Sequence, residues 1–367
     1  MSARFLTVVL ERAFNMRDGF GREIDYMRIS VIDSCNLNCY YCNPCDNNEH
    51  CHALNILSVK EVLCIVRAAT RLGIKHFRLT GGEPLLHPQL DEMVLQIKKI
   101  PGVSSVSLTT NAVLLAQHAK WLKEAGIDSI NVSLDTIDAS EYEHITKKPL
   151  LEEVKHGINA AIECGIRVKI NVVLTPQTDV VALTRYASKK GTDIRFIEMM
   201  PVGEGHTNGV EPYEKVIGAL LEVYGTPCHI DTENREEINS GYNNADNGPA
   251  EYYSFHGLDI RVGLIQAIHG KFCDTCNRIR VTADGRLMPC LGSSVTMDLV
   301  PDSWDFADDV EKDFAIVRAL RAAIKAKPRC HNFNDNAVTY TKTTETKTTE
   351  IEAAEVNAAR NMSRIGG

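Results

Sequence analysis

The chain has no apolar run long enough to span a bilayer. Phe5-Leu6-Thr7-Val8-Val9-Leu10, the longest near the start, is too short for the hydrophobic region of a secretory signal and lacks its usual flanks. There is no surplus of positive charge either. Lys and Arg number 40 against 48 Asp and Glu, a formal net charge of −8. That balance argues against a general nucleic-acid surface, though not against a local basic pocket for a small anion. The even cysteine framework of a disulfide scaffold is also missing, because the 12 cysteines gather mainly around two places. Metal binding therefore outranks disulfides, and a reducing compartment is expected. Residues 1–17 set Arg4, Arg12 and Arg17 against Glu11, too short a stretch for a transit peptide. The expectation is a cytoplasmic protein with no membrane and no nucleic-acid partner. What remains is an ordinary globular mix over 367 residues, 44% hydrophobic and 24% charged, enough for one large unit and a smaller one.

Met27-Arg28-Ile29-Ser30-Val31-Ile32-Asp33 alternates apolar and polar residues and predicts a strand. Cys35, Cys39 and Cys42 follow it at C-x3-C-x2-C spacing, on the loop leaving the strand's C-terminal end. Such a loop can offer three thiolates to three irons. A [4Fe-4S] cluster wants four ligands, so one iron is left for a small molecule. A zinc site would favour C-x2-C pairs and four ligands, and His50 or Cys51 would have to complete it. With an aromatic before its last cysteine, the motif resembles that of the radical S-adenosylmethionine (SAM) superfamily.

Strands at 26–33, 75–80, 103–109, 128–134, 166–174 and 193–199 alternate with helices at 58–72, 88–100, 114–125, 150–164 and 179–190. Ser58 with Glu61 makes a capping box for the first helix. Repeated βα units imply an α/β fold with a parallel sheet, here an incomplete (β/α)6 TIM-like barrel of the radical SAM type, open on one side. Function is expected at the strands' C-terminal ends. Those ends carry Gly81-Gly82-Glu83-Pro84, Thr109-Thr110-Asn111, Asn131 to Asp135, Lys169 to Asn171 and Glu198-Met199-Met200-Pro201. Taken alone, Gly81-Gly82 is an ordinary turn. The barrel is expected over 1–235, with a helix at 212–224. A small C-terminal unit over 236–335 then closes the open side and includes a helix at 310–326. Residues 336–367 are a tether and tail, whose Thr/Lys/Glu tract at 339–350 has the composition of a disordered segment.

Cys273, Cys276 and Cys290 form a second group at C-x2-C-x13-C spacing. Asp284-Gly285 reads as a hairpin turn that folds Cys290 back beside the pair. On these residues zinc, with His269 or Cys330 as fourth ligand, and an iron–sulfur cluster stand equal. The run from Cys273 through Arg278-Ile279-Arg280 to Cys290-Leu291 joins Phe20-Gly21-Arg22, Tyr26-Met27-Arg28-Ile29-Ser30 and the terminal Met362-Ser363-Arg364-Ile365-Gly366-Gly367. Together, across nearly the whole chain, these motifs resemble the GTP 3′,8-cyclase family, which takes the first step of molybdenum cofactor biosynthesis.

That resemblance implies two [4Fe-4S] clusters, one on Cys35, Cys39 and Cys42 and one on Cys273, Cys276 and Cys290. It implies SAM contacts at Tyr41, Gly82, Ser133 and Met200. GTP contacts are implied at Arg28, Arg78, Thr109, Lys169, Arg278 and Arg280. The chemistry implied is reductive cleavage of SAM, abstraction of the ribose 3′ hydrogen and closure of C3′ on guanine C8. Arg278, Arg280 and a threaded Gly366-Gly367 tail are the catalytic residues implied. An external electron donor, cyclic pyranopterin monophosphate synthase as product acceptor and a homodimer complete the expectation. Two rivals are another two-cluster radical SAM enzyme, such as a peptide-modifying maturase, and a non-catalytic nucleotide-binding or zinc-stabilised module.

Overall fold

The βα alternation is realised strand by strand. The computed structural model describes residues 16–42, 55–202, 210–230, 248–293, 295–299, 309–331 and 333. Six strands, β1 (Tyr26–Ser30), β2 (His76–Thr80), β3 (Ser105–Thr110), β4 (Ser129–Ser133), β5 (Arg167–Val173) and β6 (Asp193–Ile197), pair in parallel in chain order. The expected helices are α1 (Val59–Arg71), α2 (Leu90–Lys98), α3 (Leu115–Ala125), α5 (Leu151–Glu163) and α6 (Val180–Lys190). A short helix the sequence reading did not expect, α4 (Ala139–Thr146), starts where the Asp138 carboxylate accepts from Glu141 N at 2.8 Å.

The C-terminal region supplies both edges of the same open sheet. After α7 (Pro212–Tyr224) come β7 (Cys228–Ile230), β8 (Glu251–Ser254) and β9 (Val262–Ile265). β9 pairs in parallel with β6, and β8 and β7 extend that edge antiparallel. At the other edge β10 (Arg278–Val281) runs parallel to β1, and the hairpin β10–β11 (Arg286–Met288) leads on to β12 (Met297–Asp298). Gly285, at φ +76°, makes the expected Asp284-Gly285 turn. α8 (Asp309–Lys325) packs against α1 and this hairpin, with Arg71 and Asp313 paired at 2.8 Å. The 235/236 division and residues 336–367 lie outside the described residues, as do Cys45 and Cys51.

Period-two alternation sorts the two faces. Met27, Ile29, Phe77, Leu79, Val106, Leu108, Ile130, Val132, Ile170, Phe196, Ile279 and Val281 belong to the core, which the helices also join. Between them stand Arg28, Arg78, Thr109, Ser133, Asn171, Arg195, Arg278 and Arg280, which line a cavity inside the curled sheet. Among the described residues no helix is long and apolar enough to cross a membrane.

At the start of α1, Ser58 Oγ accepts from Glu61 N at 3.3 Å while a Glu61 carboxylate oxygen accepts from Ser58 N at 2.7 Å. Ser58→Ala is expected to cost about 1 kcal/mol, read as a lower urea midpoint at unchanged slope. An unchanged midpoint would show that this cap contributes nothing.

Candidate active site

The loop after β1 is held from three sides. Asn38 N and Tyr40 N donate to Thr146 O at 3.0 Å and Ile145 O at 3.1 Å, so the C-terminal end of α4 braces it. Gly82 N donates to Ile32 O and Glu83 N to Ser34 O, both at 2.8 Å. A Cβ on Gly81 would sit 2.2 Å from Ile32 O, and one on Gly82 2.2 Å from Ser34 O. The glycine pair is therefore required by backbone packed on backbone, whatever else it binds. On the third side the Asn111 amide donates to Asn36 Oδ1 at 2.7 Å and to Cys35 Sγ at 3.8 Å.

Burial dominates the ionisation of Cys35 and Cys39. It pushes the Cys35 thiol up to about 11, with the Glu83 charge adding to it. Cys39 is raised well above the ordinary thiol range by burial and then by the charges of Cys42, Asp135 and Cys35. Thiols raised in this way hold their protons until a cation replaces them, and a cationic iron cluster fits the donor set of three cysteines on one loop. Buried acids stand behind the loop. Glu83 accepts from Leu85 N, Thr110 Oγ1 and Asn111 N, yet burial still lifts its carboxyl to about 7. Asp135 accepts from the Tyr41 hydroxyl at 2.5 Å and from Val173 N at 2.8 Å, and burial raises it to about 6.

The second triad enters from the opposite end. Cys276 lies two residues before Arg278, which pairs with Tyr26 at the start of β1, whereas Cys35 lies beyond Ser30 at its finish. At least one strand length, roughly 17 Å at about 3.3 Å per residue, therefore separates the two. Of the two triads, only Cys35, Cys39 and Cys42 stand at the strands' C-terminal ends, where function was expected. The reason is that β10 runs parallel to β1, which puts the residues preceding it at the N-terminal end. All six cysteines nonetheless line one cavity of about 330 Å³. Burial would raise the Cys276 thiol, but the Arg278 and Lys327 charges bring it down to about 7. Lys327 Nζ, itself buried, donates to Arg278 O at 2.8 Å and Pro289 O at 2.9 Å, tying the two arms of the hairpin together. The Arg22 guanidinium donates to Cys273 O at 2.6 Å and to the carbonyls of Pro328 and Arg329.

Between the two ends lies a layer of cations. Arg78, Arg28 and Arg280 share one register row across β2, β1 and β10, and Arg278 sits in the row of Tyr26. Burial and then the charges of Arg280 and Arg78 hold the Arg28 guanidinium well below its ordinary value. Burial and Arg278 bring Arg280 down to about 10. Arg278 Nε, Arg195 Nε and Thr109 Oγ1 are buried without a hydrogen-bond partner, which is what donors prepared for an absent anion look like. Of the residues singled out from the sequence, Tyr41, Gly82, Ser133, Met200, Arg28, Arg78, Thr109, Arg278 and Arg280 line the cavity. Lys169 lies buried off the lining, in the register row of Thr109 and Asn131, and Gly366 and Gly367 lie outside the described residues.

Sequence reading missed Arg195 and Lys327 as site residues, and it named Glu198 only among the residues at a strand end. Arg195 donates to Asn131 Oδ1 at 2.6 Å, and a Cβ on Gly263 beside it would come within 2.8 Å of its Cγ. Its signal was an arginine at the inward position of β6, between Ile194 and Phe196. Glu198 accepts from Ile268 N at 2.7 Å, from His269 N at 3.1 Å and from the His269 ring, anchoring the segment that leads to the second triad. Gly82→Ala is expected to displace the first loop alone. Iron bound after anaerobic reconstitution should then fall from about eight to about four atoms per chain. Full loading of that variant would show the close backbone approach to be dispensable.

Residues 29–184 match the family model for the radical SAM superfamily, and residues 192–333 that for Molybdenum Cofactor Synthesis C. A GTP 3′,8-cyclase of Clostridium perfringens (strain SM101) is 36% identical over 87% of this chain and 95% of its own length. One of Moorella thermoacetica is 38% identical over 87% and 96%. Among solved structures, Streptococcus suis SuiB bound to its precursor peptide SuiA superposes with a TM-score of 0.54 at 16% identity, covering 87% of this chain and 69% of that one. That likeness speaks for the fold alone. With relatives of such identity aligned along almost their whole length, the chain belongs to the GTP 3′,8-cyclase family of the radical SAM superfamily.

Proposed function

We propose that the chain is a GTP 3′,8-cyclase. It converts GTP to (8S)-3′,8-cyclo-7,8-dihydroguanosine 5′-triphosphate, the first step of molybdenum cofactor biosynthesis, with SAM and two [4Fe-4S] clusters. The observation that carries this reading is the single cavity with a cysteine triad at each end and buried arginines between them. Cys35, Cys39 and Cys42 would hold one cluster and Cys273, Cys276 and Cys290 the other. When bound, the first with SAM supplies hydrogen abstraction and the second an open iron for the purine.

Holding and shielding the substrates falls to the chain itself. Tyr41, Gly82 and Ser133 would contact SAM from the side of the first triad, and Met200, which packs against Val202, Met288 and Phe333, from across the cavity. Arg28, Arg78, Arg278, Arg280 and Thr109 would take the triphosphate, for which a planar guanidinium fork is suited. Arg195, on the same wall, joins them. Phe272, Met199, Val202 and Leu291 make the remaining lining largely apolar, which keeps water and stray hydrogen donors from the reacting ribose. Gly366 and Gly367 would complete the site from the tail. A cytoplasmic setting, an external electron donor, a homodimer and transfer of product to cyclic pyranopterin monophosphate synthase belong to the same reading. A peptide-modifying maturase has no use for this cation layer, and the sequence relatives do not favour one.

Product formation from GTP and SAM by the anaerobically reconstituted chain is the direct test. Arg278→Ala should lower kcat/KM for GTP roughly 10–100-fold, the worth of one buried charge-assisted contact, at unchanged iron content. Unaltered kinetics would remove Arg278 from the site.

Lys169 gives a second, independent measurement. Burial, with the charges of Arg195 and Arg167, pushes its ammonium down to about 5, so it is neutral at pH 7 in the nucleotide-free chain. A depressed lysine favours the fold less as pH falls from its unfolded value towards 5, because the unfolded chain then binds the extra proton. A triphosphate held at Thr109, two strands away in the same register row, would favour the charged form. GTP binding at pH 7 is therefore expected to take up about one proton, seen as a dependence of calorimetric heat on buffer ionisation enthalpy. Lys169→Met should abolish that uptake while raising the melting temperature of the nucleotide-free chain. Equal uptake in the variant would refute the assignment.

A further inference from the structure

The second triad has neighbours that the proposed chemistry leaves unused. Cys330 Sγ lies 3.3 Å from Cys273 Sγ. With His331 the two cysteines make a group whose donor atoms all lie within 4.8 Å of one another. The juxtaposition is built. One guanidinium, that of Arg22, donates to Cys273 O at 2.6 Å, Pro328 O at 2.6 Å and Arg329 O at 3.0 Å, clamping both cysteine-bearing segments on a single buried cation. His331 is oriented too. Its Nε2 donates to Ala267 O at 2.7 Å, which leaves Nδ1 as the lone-pair nitrogen, and Nδ1 is buried with no hydrogen-bond partner. The ring also packs on Phe333, with centroids 4.3 Å apart.

Two thiolates on one tetrahedral ion, with bonds of about 2.3 Å, sit roughly 3.8 Å apart. Parting the two sulfurs by about half an ångström therefore suffices to seat an ion. A disulfide, at about 2.05 Å, would need a larger movement and an oxidant. We propose that Cys273, Cys330 and His331 form a mononuclear site for one thiophilic divalent cation, zinc or ferrous iron, in the chain that has not yet received its second cluster. Two thiols release their protons to solvent as the ion binds, and water takes the fourth position. Cys273 cannot serve both, so ion and cluster exclude one another. Only that exclusion rests on the proposed second cluster; the ion site stands or falls independently of the cyclase reaction.

The probe is Co2+, titrated anaerobically into the reduced, iron-free full-length chain in which Cys35, Cys39 and Cys42 are replaced by serine. This parent is expected to bind one equivalent, with thiolate-to-cobalt charge-transfer absorbance and tetrahedral d–d bands, and to lose it to one equivalent of Zn2+. Adding Cys330→Ser should weaken Co2+ at least ~10-fold and reduce the charge-transfer absorbance per ion to roughly half. Adding Cys276→Ser should change neither. In the chain with all its cysteines, one equivalent of Zn2+ given before reconstitution should lower bound iron from about eight to about four atoms. Cys330→Ser should restore it. Equal cobalt affinity and spectra with and without Cys330, or loss of binding on Cys276→Ser alone, would overturn the site.

Discussion

Residues 266–277 carry the chain from the end of β9 to the start of β10, and so from one edge of the parallel strands to the other. β9 and β10 are the outermost of eight parallel strands, so in a flat sheet they would stand about seven spacings, roughly 34 Å, apart. The connection must also descend a strand length, because both strands point the same way. Twelve residues reach at most about 42 Å fully extended, and these are not extended. A 3-10 turn occupies Cys273–Thr275, and Glu198 pins Ile268 and His269. The sheet has to curl until its edges approach. The cavity, the meeting of the two triads and the inward row of arginines all follow from that short connection.

A curled sheet of this kind differs from a filled barrel in what its inner face contains. Side chains that would be Val or Ile in a packed interior are here Arg28, Arg78, Thr109, Asn131, Lys169, Arg195, Arg278 and Arg280. Burying them together costs stability, since like charges in a dry space repel and hydrogen bonds such as Arg195 to Asn131 Oδ1 and Arg78 to Ser107 Oγ replace only part of the lost hydration. The outer face offsets that cost, with Phe77, Leu79, Val106, Leu108, Ile130, Ile170 and Phe196 wholly buried beneath the helices. Such an arrangement favours binding, because an anion entering the cavity removes repulsion already present in the fold.

The βα order was legible because both periods are strong: strands alternate at two, helices such as 59–71 repeat at 3.6, and Ser58 and Gly285 mark ends where the backbone needs them. The cysteine spacings were legible because ligands for one cluster must come from short, local loops. Arg22 was visible only as part of Phe20-Gly21-Arg22. Apart from Asp18, four positions before it, its partners are more than 250 positions away, and nothing local announces a guanidinium that holds Cys273 O and Pro328 O. Shorter separations, 49 and 38 positions, likewise hid Lys327 from Arg278 and Pro289. The place of the second triad was hidden for a topological reason, since no pattern in Arg278-Ile279-Arg280-Val281 says that this strand runs beside β1 and in its direction. Gly81-Gly82 was read as a ligand loop; its closest demand is the backbone of Ile32 and Ser34.

The two ends of the cavity differ electrostatically in a way that matches their proposed occupants. Behind the first triad stand Glu83 and Asp135, buried acids lifted to about 7 and about 6, and the neighbouring thiols rise with them. Around the second stand Arg278 and Lys327, which bring Cys276 down to about 7 against its burial. Acids near a site oppose added negative charge, and cations near a site favour it. SAM carries a sulfonium and an ammonium, so the acidic end suits a positively charged ligand. A nucleoside triphosphate brings several negative charges, which the basic end and the arginine row beside it can accept. A substrate placed the other way round would set phosphates against Glu83 and Asp135. On the proposed occupancy, the charge gradient along the cavity would orient the two substrates as well as bind them.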